Sequence, residues 1–317
     1  MIAVCIVTYN QEAFIAQAID SVQMQQCDEP IRIYIGDDAS TDRTQAICER
    51  YAAQDERIVY IRRNKNLGLV NNTLDLYRRI MADGCKYIAM LDGDDYWTDP
   101  HKLQLQVDFL RVHPEVGFVH TNGQTSLGSG TTTFEPVEGV YGANGSSPVN
   151  CTVFFRANLL SNELINRIEA QHFILLDYPL YGVFYQKTKW AYLPQQTAVW
   201  REHTSVSQPK TAQAILALRE ERCRMWKWLD ELFPGQVGYS DKKAQDYLFG
   251  EMLNLIYRFN DRSLVTPELL NSYKPDFWKQ KIKQKALKNS LLYTILQFFR
   301  NLFAYLAKKL YLCSRFG

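Results

Sequence analysis

The first 120 residues alternate between apolar, β-rich runs and segments whose apolar residues repeat at helical spacing. This alternation favours parallel strands joined by right-handed crossovers, because each helix must return the chain to the same end of the sheet. We therefore predict an α/β fold with a mostly parallel, Rossmann-like sheet flanked by helices. The predicted strands are Ala3–Tyr9, Ile31–Gly36, Arg57–Arg62, Tyr87–Leu91 and Val116–His120.

Local signals place the helices between these strands. Asp99-Pro100 predicts a helix with Asp99 as its N-cap and proline at the first helical position. Farther along, the predicted strands are Cys151–Arg156, Trp190–Leu193 and Thr197–Arg201. The predicted helices between them are Leu164–Phe173 and Pro179–Gln186, and from Thr211 onward the pattern predicts helices alone.

Polar residues stand at the carboxyl ends of four predicted strands. In parallel sheets ligands bind beyond these ends, so we expect the four clusters to share one edge of the sheet. The clusters are Thr8-Tyr9-Asn10, Asp37-Asp38, Asn64–Gly68 and Asp92–Asp95.

Three of the carboxylates, Asp92, Asp94 and Asp95, fall within four residues directly after an apolar run. Like charges held this close repel, and a bound cation relieves the repulsion. Hard oxygen ligands suit Mg²⁺ or Mn²⁺, and such an ion can bind a phosphate. An EF-hand loop is excluded, because the sixth position from Asp92 is Trp97 and the twelfth is Leu103.

Composition narrows the class of protein. A net charge of +2 over 317 residues gives no sign of a nucleic-acid partner. The seven cysteines lack closely spaced pairs, which is typical of reduced thiols. We expect no signal peptide. We also expect no spanning helix, because no apolar run reaches about 18 residues. The expectation is a cytoplasmic protein.

We expect one large domain over residues 1–210, divided into two halves at 1–120 and 121–210. Residues 123–150 are rich in Gly, Ser, Thr and Asn and are interpreted as a rim of loops and short strands. Residues 211–317 are expected to be helical and to end in a basic amphipathic helix at about 288–313. Such a helix can lie on the inner face of the plasma membrane, on a partner subunit or on its own domain.

Four motifs, in this order and spacing, resemble the family 2 glycosyltransferases. They are Val4–Asn10, Ile35–Asp42, Asn64–Gly68 and Leu91–Asp95. The resemblance covers about residues 1–205. It implies a GT-A fold, a nucleotide-sugar donor, a divalent metal ion and inversion at the anomeric carbon. Residues 1–210 would then be the catalytic domain, with the nucleotide-sugar-binding half at 1–120 and the acceptor and catalytic half at 121–210.

The resemblance places the donor nucleotide at the ends of the first two strands. Thr8, Tyr9 and Asp38 would form the base pocket, in which Asp38 would accept the N3–H of uracil. Asn10 would also contact the donor. The donor-side loop would contribute Asn64, Asn66 and Asn72. Two alternatives stay open: Tyr9 as a core aromatic, and Asp37 with Asp38 as turn caps.

The same resemblance assigns Asp92 and the adjacent Gly93 to donor binding, with Asp92 at the ribose. Asp94 and Asp95 are assigned to the metal ion, which would bridge the donor phosphates and act as a Lewis acid.

Inversion needs one general base for the acceptor hydroxyl, and the matching position is Asp177. The alternative for Asp177 is an N-cap of the helix near Pro179. The segment that would close over the donor pyrophosphate contributes Arg201 as a positive charge and His203, which would ligate the metal ion or contact a phosphate.

The leading hypothesis is an inverting hexosyl- or N-acetylhexosaminyltransferase that uses a nucleotide-sugar, by default a UDP-sugar. Its acceptor would be a glycan or glycolipid of a cell-surface polysaccharide. The alternative is a catalytically silent nucleotide-sugar-binding module in a membrane-associated assembly. A nucleotidyltransferase is disfavoured, because Thr8–Glu12 offers no glycine-rich, cationic loop.

Overall fold

The computed structural model describes residues 1–125, 148–201, 210–264, 278–289 and 293. Its helices and strands are β1 Ile2–Thr8, α1 Ile15–Gln23, β2 Ile31–Asp37, α2 Thr44–Gln54, β3 Ile58–Arg62, α3 Leu69–Ala82, β4 Tyr87–Asp92, β5 Tyr96–Trp97, α4 Lys102–Val112, β6 Val116–Thr125, β7 Val153–Arg156, α5 Asn162–Glu169, α6 Asp177–Lys187, β8 Lys189–Trp200, α7 Ala212–Leu232, α8 Asp241–Phe259 and α9 Trp278–Lys288.

The strands form one eight-stranded sheet in the order β3-β2-β1-β4-β7-β6-β8-β5. β1 pairs in parallel with both β2 and β4, and β2 pairs in parallel with β3. β7 runs antiparallel between β4 and β6, while β6 and β8 are parallel. The prediction of a mostly parallel sheet is confirmed, and the carboxyl ends of β1, β2 and β4 meet at one edge.

Both faces of the sheet are covered, which explains why every residue of β1 is buried. On one face Val4 and Ile6 belong to a core cluster with apolar residues of α1, α2 and α4. On the other face α3 contacts β1 and β2. There the Tyr77 ring of α3 packs edge-on against Phe155, with the ring centroids 6.1 Å apart.

Two local predictions are wrong. The fourth helix begins at Lys102 with His101 as its N-cap, so Asp99 does not cap it. The two strands predicted over residues 190–201 are one continuous strand, β8. Most of the rim at 123–150 and of the basic helix at 288–313 lies outside the described residues.

The chain divides into two compact units. The first comprises residues 1–208 and 224–238, and the second comprises residues 209–223 and 239–317. Within the second unit, Leu253 and Ile256 of α8 pack with Ala286 and Leu287 of α9. In the described part of the chain, no helix combines the length and apolar character needed to cross a membrane.

Candidate active site

The turn after β1 is tied to the turn after β2. Asn10 adopts a left-handed conformation with φ of 52°. Its backbone N–H donates to Ser40 Oγ at 2.9 Å, and its Oδ1 accepts the Thr41 N–H at 2.8 Å. Tyr9 is 46% exposed, so it is not a core aromatic. The first two polar clusters therefore lie side by side, with the Tyr9 ring open to solvent.

The two aspartates after β2 have different partners. Asp37 is fully buried, and its Oδ1 accepts the Ser40 N–H at 2.9 Å while its Oδ2 accepts the Tyr60 hydroxyl at 2.7 Å. Asp37 is thus a turn cap.

Asp38 reaches the third polar cluster. Its Oδ1 accepts the Leu67 N–H at 2.7 Å, and its Oδ2 accepts the Gly68 N–H at 2.8 Å. Asn66 Oδ1 accepts the same Gly68 N–H at 3.0 Å. Asp38 therefore shapes the loop that carries Asn66. Each carboxylate oxygen has a second lone pair, so the uracil contact stays a prediction.

Asn72 does not lie on this loop, contrary to the sequence-based placement. It lies in α3, is 1% exposed and donates through Nδ2 to the Gly36 carbonyl at 2.8 Å. Its Oδ1 accepts Arg63 Nε at 2.9 Å, and Arg63 also pairs with Asp75 at 2.5 Å. These contacts join α3 to the sheet, which is a structural role.

Gly93 follows β4 where space is smallest. A Cβ at this position would lie 3.0 Å from Thr8 Cβ and would collide with Gln11 Oε1. Thr8 Oγ1 and Gln11 Oε1 are buried without a hydrogen-bond partner in the described structure. The close approach explains the glycine and brings two unpaired oxygens beside the acidic cluster.

The acidic cluster is electrostatically strained. Burial, followed by repulsion from Asp94 and Asp177, raises the pKa of Asp92 to about 7, although the Asn150 amide opposes the shift. Burial and the neighbouring Asp92 and Asp94 hold the pKa of Asp95 well above its usual value. Asp95 is 1% exposed, whereas Asp92 and Asp94 are half-buried. The carboxylates therefore crowd one another as the sequence predicted.

Arg201 closes this cluster from β8. Its backbone N–H donates to Asp95 Oδ1 at 2.9 Å, and its guanidinium donates to the Asp94 carbonyl. The guanidinium also lies 4.9 Å from the Phe14 ring centroid and 4.6 Å from that of Tyr96. Arg201 thus holds residues Asp92–Asp95, which we call the aspartate loop, in place. A direct contact of Arg201 with the donor stays a prediction.

Asp177 is the first residue of α6, with Leu176 as the N-cap and no side-chain capping bond. The N-cap alternative for Asp177 is therefore wrong. Asp177 is half-buried, and its charge acts on Asp92. The structure thus brings the predicted base to the aspartate cluster from a distant part of the chain.

Two residues of the site were missed by the sequence analysis. Asn150 donates through Nδ2 to Asp92 Oδ1 at 2.9 Å, and its Oδ1 accepts the Tyr181 hydroxyl at 2.5 Å. Tyr181 stands four residues after Asp177, so helical spacing alone places the two on one face. Asn150 carries no local signal, because it ends a stretch rich in Gly, Ser and Asn.

The donor set fits a divalent cation by its chemistry. Hard carboxylate oxygens are crowded, and a cation would relieve the repulsion that raises the Asp92 pKa. Within the described residues, no three His, Cys, Asp or Glu side chains are arranged as a complete metal site. His203, the third predicted ligand, lies outside the described residues.

Comparison with solved structures identifies the fold. S. aureus TarS, solved with UDP-GlcNAc, matches 90% of this chain and 79% of its own with a TM-score of 0.55 and 15% identity. The mannosyltransferase PcManGT from Pyrobaculum calidifontis, solved with GDP-Man and Mn²⁺, matches 94% and 87% with a TM-score of 0.51 and 12% identity. The fold is the GT-A fold of glycosyltransferases.

The sequence comparison gives the family. The model of glycosyl transferase family 2 matches residues 3–161, and the chain belongs to this family. An uncharacterized protein of Mycobacterium tuberculosis is 38% identical over 136 residues, which are 43% of this chain and 34% of that protein. The match thus spans about a third of the length of that curated relative.

Proposed function

We propose that this protein is an inverting glycosyltransferase that moves a hexosyl or N-acetylhexosaminyl group from a nucleotide-sugar to a glycan or glycolipid of a cell-surface polysaccharide. The observation that carries the proposal is the hydrogen-bonded link from Asp92 through Asn150 to Tyr181, which lies one turn of α6 after Asp177. One carboxylate lies at the donor edge of the sheet, and the other begins a helix from the acceptor half. An inverting transferase needs these two functions side by side.

In this reaction Asp177 accepts the proton of the acceptor hydroxyl. The acceptor oxygen then forms a bond to the anomeric carbon from the face opposite the leaving group. The bond from that carbon to the diphosphate oxygen breaks, and its electron pair leaves with the nucleoside diphosphate. Attack from the opposite face inverts the configuration. The role of the protein is to position the two substrates and to remove one proton.

Donor binding is assigned to the sheet edge. Tyr9 offers an exposed ring for the base, and Asp38 offers carboxylate lone pairs to the uracil N3–H. Asp92 would meet the ribose. Asp94, with Asp95 and His203, would hold Mn²⁺ or Mg²⁺, which neutralises charge on the leaving diphosphate when bound.

Calorimetric titration of UDP, GDP and dTDP, each with and without Mn²⁺, tests this proposal. We expect one nucleotide, by default UDP, to bind tightly only with Mn²⁺. Asp94→Asn should remove the Mn²⁺ dependence together with most of the affinity. Asp83→Asn, at the opposite end of β4, is the matched control and should bind as the wild type does. Failure of all three nucleotides to bind would overturn the proposal.

The silent binding module is the other candidate. It predicts the same Mn²⁺-dependent binding but no release of nucleoside diphosphate from any sugar donor. The two functions therefore separate when nucleotide release from UDP-sugars is measured alongside the titrations.

We also propose that the second unit contacts an anionic membrane surface, which would place the cytoplasmic protein at the inner face of the plasma membrane. The observation behind this is a stripe of exposed lysines on α9, Lys281, Lys285 and Lys288. Their spacing puts them on one helical face, and α9 contains no acidic residue.

Flotation with vesicles of phosphatidylglycerol and phosphatidylcholine tests this contact. Changing the three lysines of the stripe to Gln should reduce the bound fraction. Three exposed lysines of the first unit make the matched control when changed to Gln: Lys86, Lys187 and Lys189. Equal loss in both triple variants, or no binding by the wild type, would contradict the proposal.

A further inference from the structure

The Asn150 carboxamide connects the donor edge of the sheet with helix α6. Asn150 Nδ2 donates to Asp92 Oδ1 at 2.9 Å, and Asn150 Oδ1 accepts the Tyr181 hydroxyl at 2.5 Å. The bond from Asn150 favours the ionised form of Asp92, against the burial that raises the pKa of Asp92. The carboxamide thus uses both of its ends, with its nitrogen on Asp92 and its oxygen on Tyr181.

The Asn150 end of this connection is held rigidly. Asn150 begins a short 3-10 helix, Asn150–Thr152. The Trp97 indole N–H donates to the Cys151 carbonyl at 2.8 Å, and Gln106 Nε2 donates to the Thr152 carbonyl at 2.9 Å. Both bonds are buried, so they are shielded from competition by water. The residues that follow Asn150 are thus anchored to the aspartate loop and to α4.

The other end is rigid as well. Tyr181 is 1% exposed, and its ring packs 5.3 Å from the Phe118 ring centroid. The position of the Tyr181 hydroxyl is therefore fixed by this packing. Tyr181 lies one helical turn after Asp177, so any shift of α6 that moves the base also moves the hydroxyl. The distance between Asp92 and Asp177 is thus set in part through Asn150.

We propose that Asn150 and Tyr181 are positioning residues, which hold Asp92 in the orientation that binds the donor ribose and keep it in register with the base on α6. This inference rests on the proposed function. Neither residue reaches the reacting atoms. Loss of the connection should therefore weaken donor affinity through Asp92, and should do so without loss of the fold.

The test measures the UDP dissociation constant, the donor KM and kcat of the full chain with Mn²⁺. Tyr181→Phe should raise the dissociation constant and KM about tenfold, the size expected when one hydrogen bond is lost, and should change kcat less. Asn150→Ala should weaken binding at least as much. Asn150→Asp keeps the shape but places a carboxylate against Asp92, so it should bind UDP no better than Asn150→Ala.

The decisive comparison is the double variant. If Tyr181 acts through Asn150, Tyr181→Phe should cause no further loss of affinity in the Asn150→Ala background. Additive losses would mean that Tyr181 acts by packing and would overturn the inference. The matched control is Tyr34→Phe, which removes a hydroxyl bonded to Asp83 at 2.8 Å at the opposite end of the sheet. It should leave affinity, KM and kcat unchanged.

The outcomes separate the two proposals. A wild type that binds and turns over a donor, with Tyr181→Phe and Asn150→Ala unchanged, overturns only the positioning role. A wild type that binds no nucleotide overturns the proposed function, and the positioning role with it. Far-ultraviolet circular dichroism and the unfolding midpoint of each variant establish that the fold is retained.

Discussion

The backbone N–H of Arg201 donates to Asp95 Oδ1 across 106 positions of the chain, at 2.9 Å. The same arginine donates from its guanidinium to the Asp94 carbonyl. Strand β8 therefore fixes the aspartate loop from outside, and the loop keeps its shape although its carboxylates repel one another. This relationship explains why a single side chain far along the chain should affect both stability and donor affinity.

Arg201→Ala should destabilise the fold and weaken nucleotide binding. The backbone bond to Asp95 remains, but the bond to the Asp94 carbonyl and the contacts with the Phe14 and Tyr96 rings are lost. We expect a loss of about 1–3 kcal/mol in the free energy of unfolding, measured with urea. Arg43→Ala removes only an exposed ion pair with Glu12, which solvent screens, and should change stability much less. Equal losses of stability in Arg201→Ala and Arg43→Ala would contradict the role of Arg201 in holding the aspartate loop.

Asp38→Asn should loosen the donor-side loop. An amide presents one N–H₂ group where the carboxylate accepts from both Leu67 and Gly68, so one backbone N–H loses its partner. The expected cost is about 1–3 kcal/mol of stability, with weaker UDP binding. Asn66→Ala removes only an exposed contact with Gly68, and its smaller effect on urea unfolding is the comparison. A fully stable Asp38→Asn variant would show that the loop does not depend on this carboxylate.

His120 should lower the stability of the fold in mild acid, whereas protonation of Asp92, whose pKa is raised to about 7, should raise it over the same pH range. Burial lowers the pKa of His120 from 6.5 to about 4. Between these values the unfolded chain binds a proton that the folded protein does not, so the free energy of unfolding decreases as the pH falls. The decrease attributable to His120 is at most about 3 kcal/mol.

His120→Phe should remove only the contribution of His120, so relative to the wild type the variant should gain stability as the pH falls from 7 to 4. Phenylalanine suits the rings of Trp190 and Tyr192 that surround His120. Urea unfolding at several pH values between 4 and 7 measures this difference, with His101→Gln, at an exposed histidine, as the comparison. A His120→Phe variant whose pH profile runs parallel to that of the wild type would contradict the contribution of His120.

The alternation of apolar runs predicted the strands well, because the burial of β1, β2 and β4 depends on local residue pattern. The start of α4 could not be predicted in the same way. Gln25 Oε1, two residues after the end of α1, accepts the Leu103 N–H at 3.1 Å. A residue from a distant part of the chain thus caps α4, and Asp99 instead accepts the His101 N–H at 2.8 Å. Tertiary contacts of this kind are invisible to local rules.

The site divides in the same way. The acidic cluster could be predicted from the sequence, because three carboxylates directly after an apolar strand repel one another and indicate a bound cation. Asn150 could not, since its partner Asp92 is 58 positions away and its own neighbourhood predicts only a loop. The contacts of Arg201 with the aspartate loop could not be predicted either, because a single arginine at the end of a strand has many ordinary roles.

The most direct test of the account is a pair of measurements on Asp177→Asn: UDP affinity and the rate of sugar transfer. The substitution removes the base but leaves the donor edge intact. We predict that the affinity for UDP stays within about twofold while the rate falls by about 10²–10⁴. Asp83→Asn is the control for both. Near-normal transfer by Asp177→Asn would contradict the assignment of the base and with it the central claim.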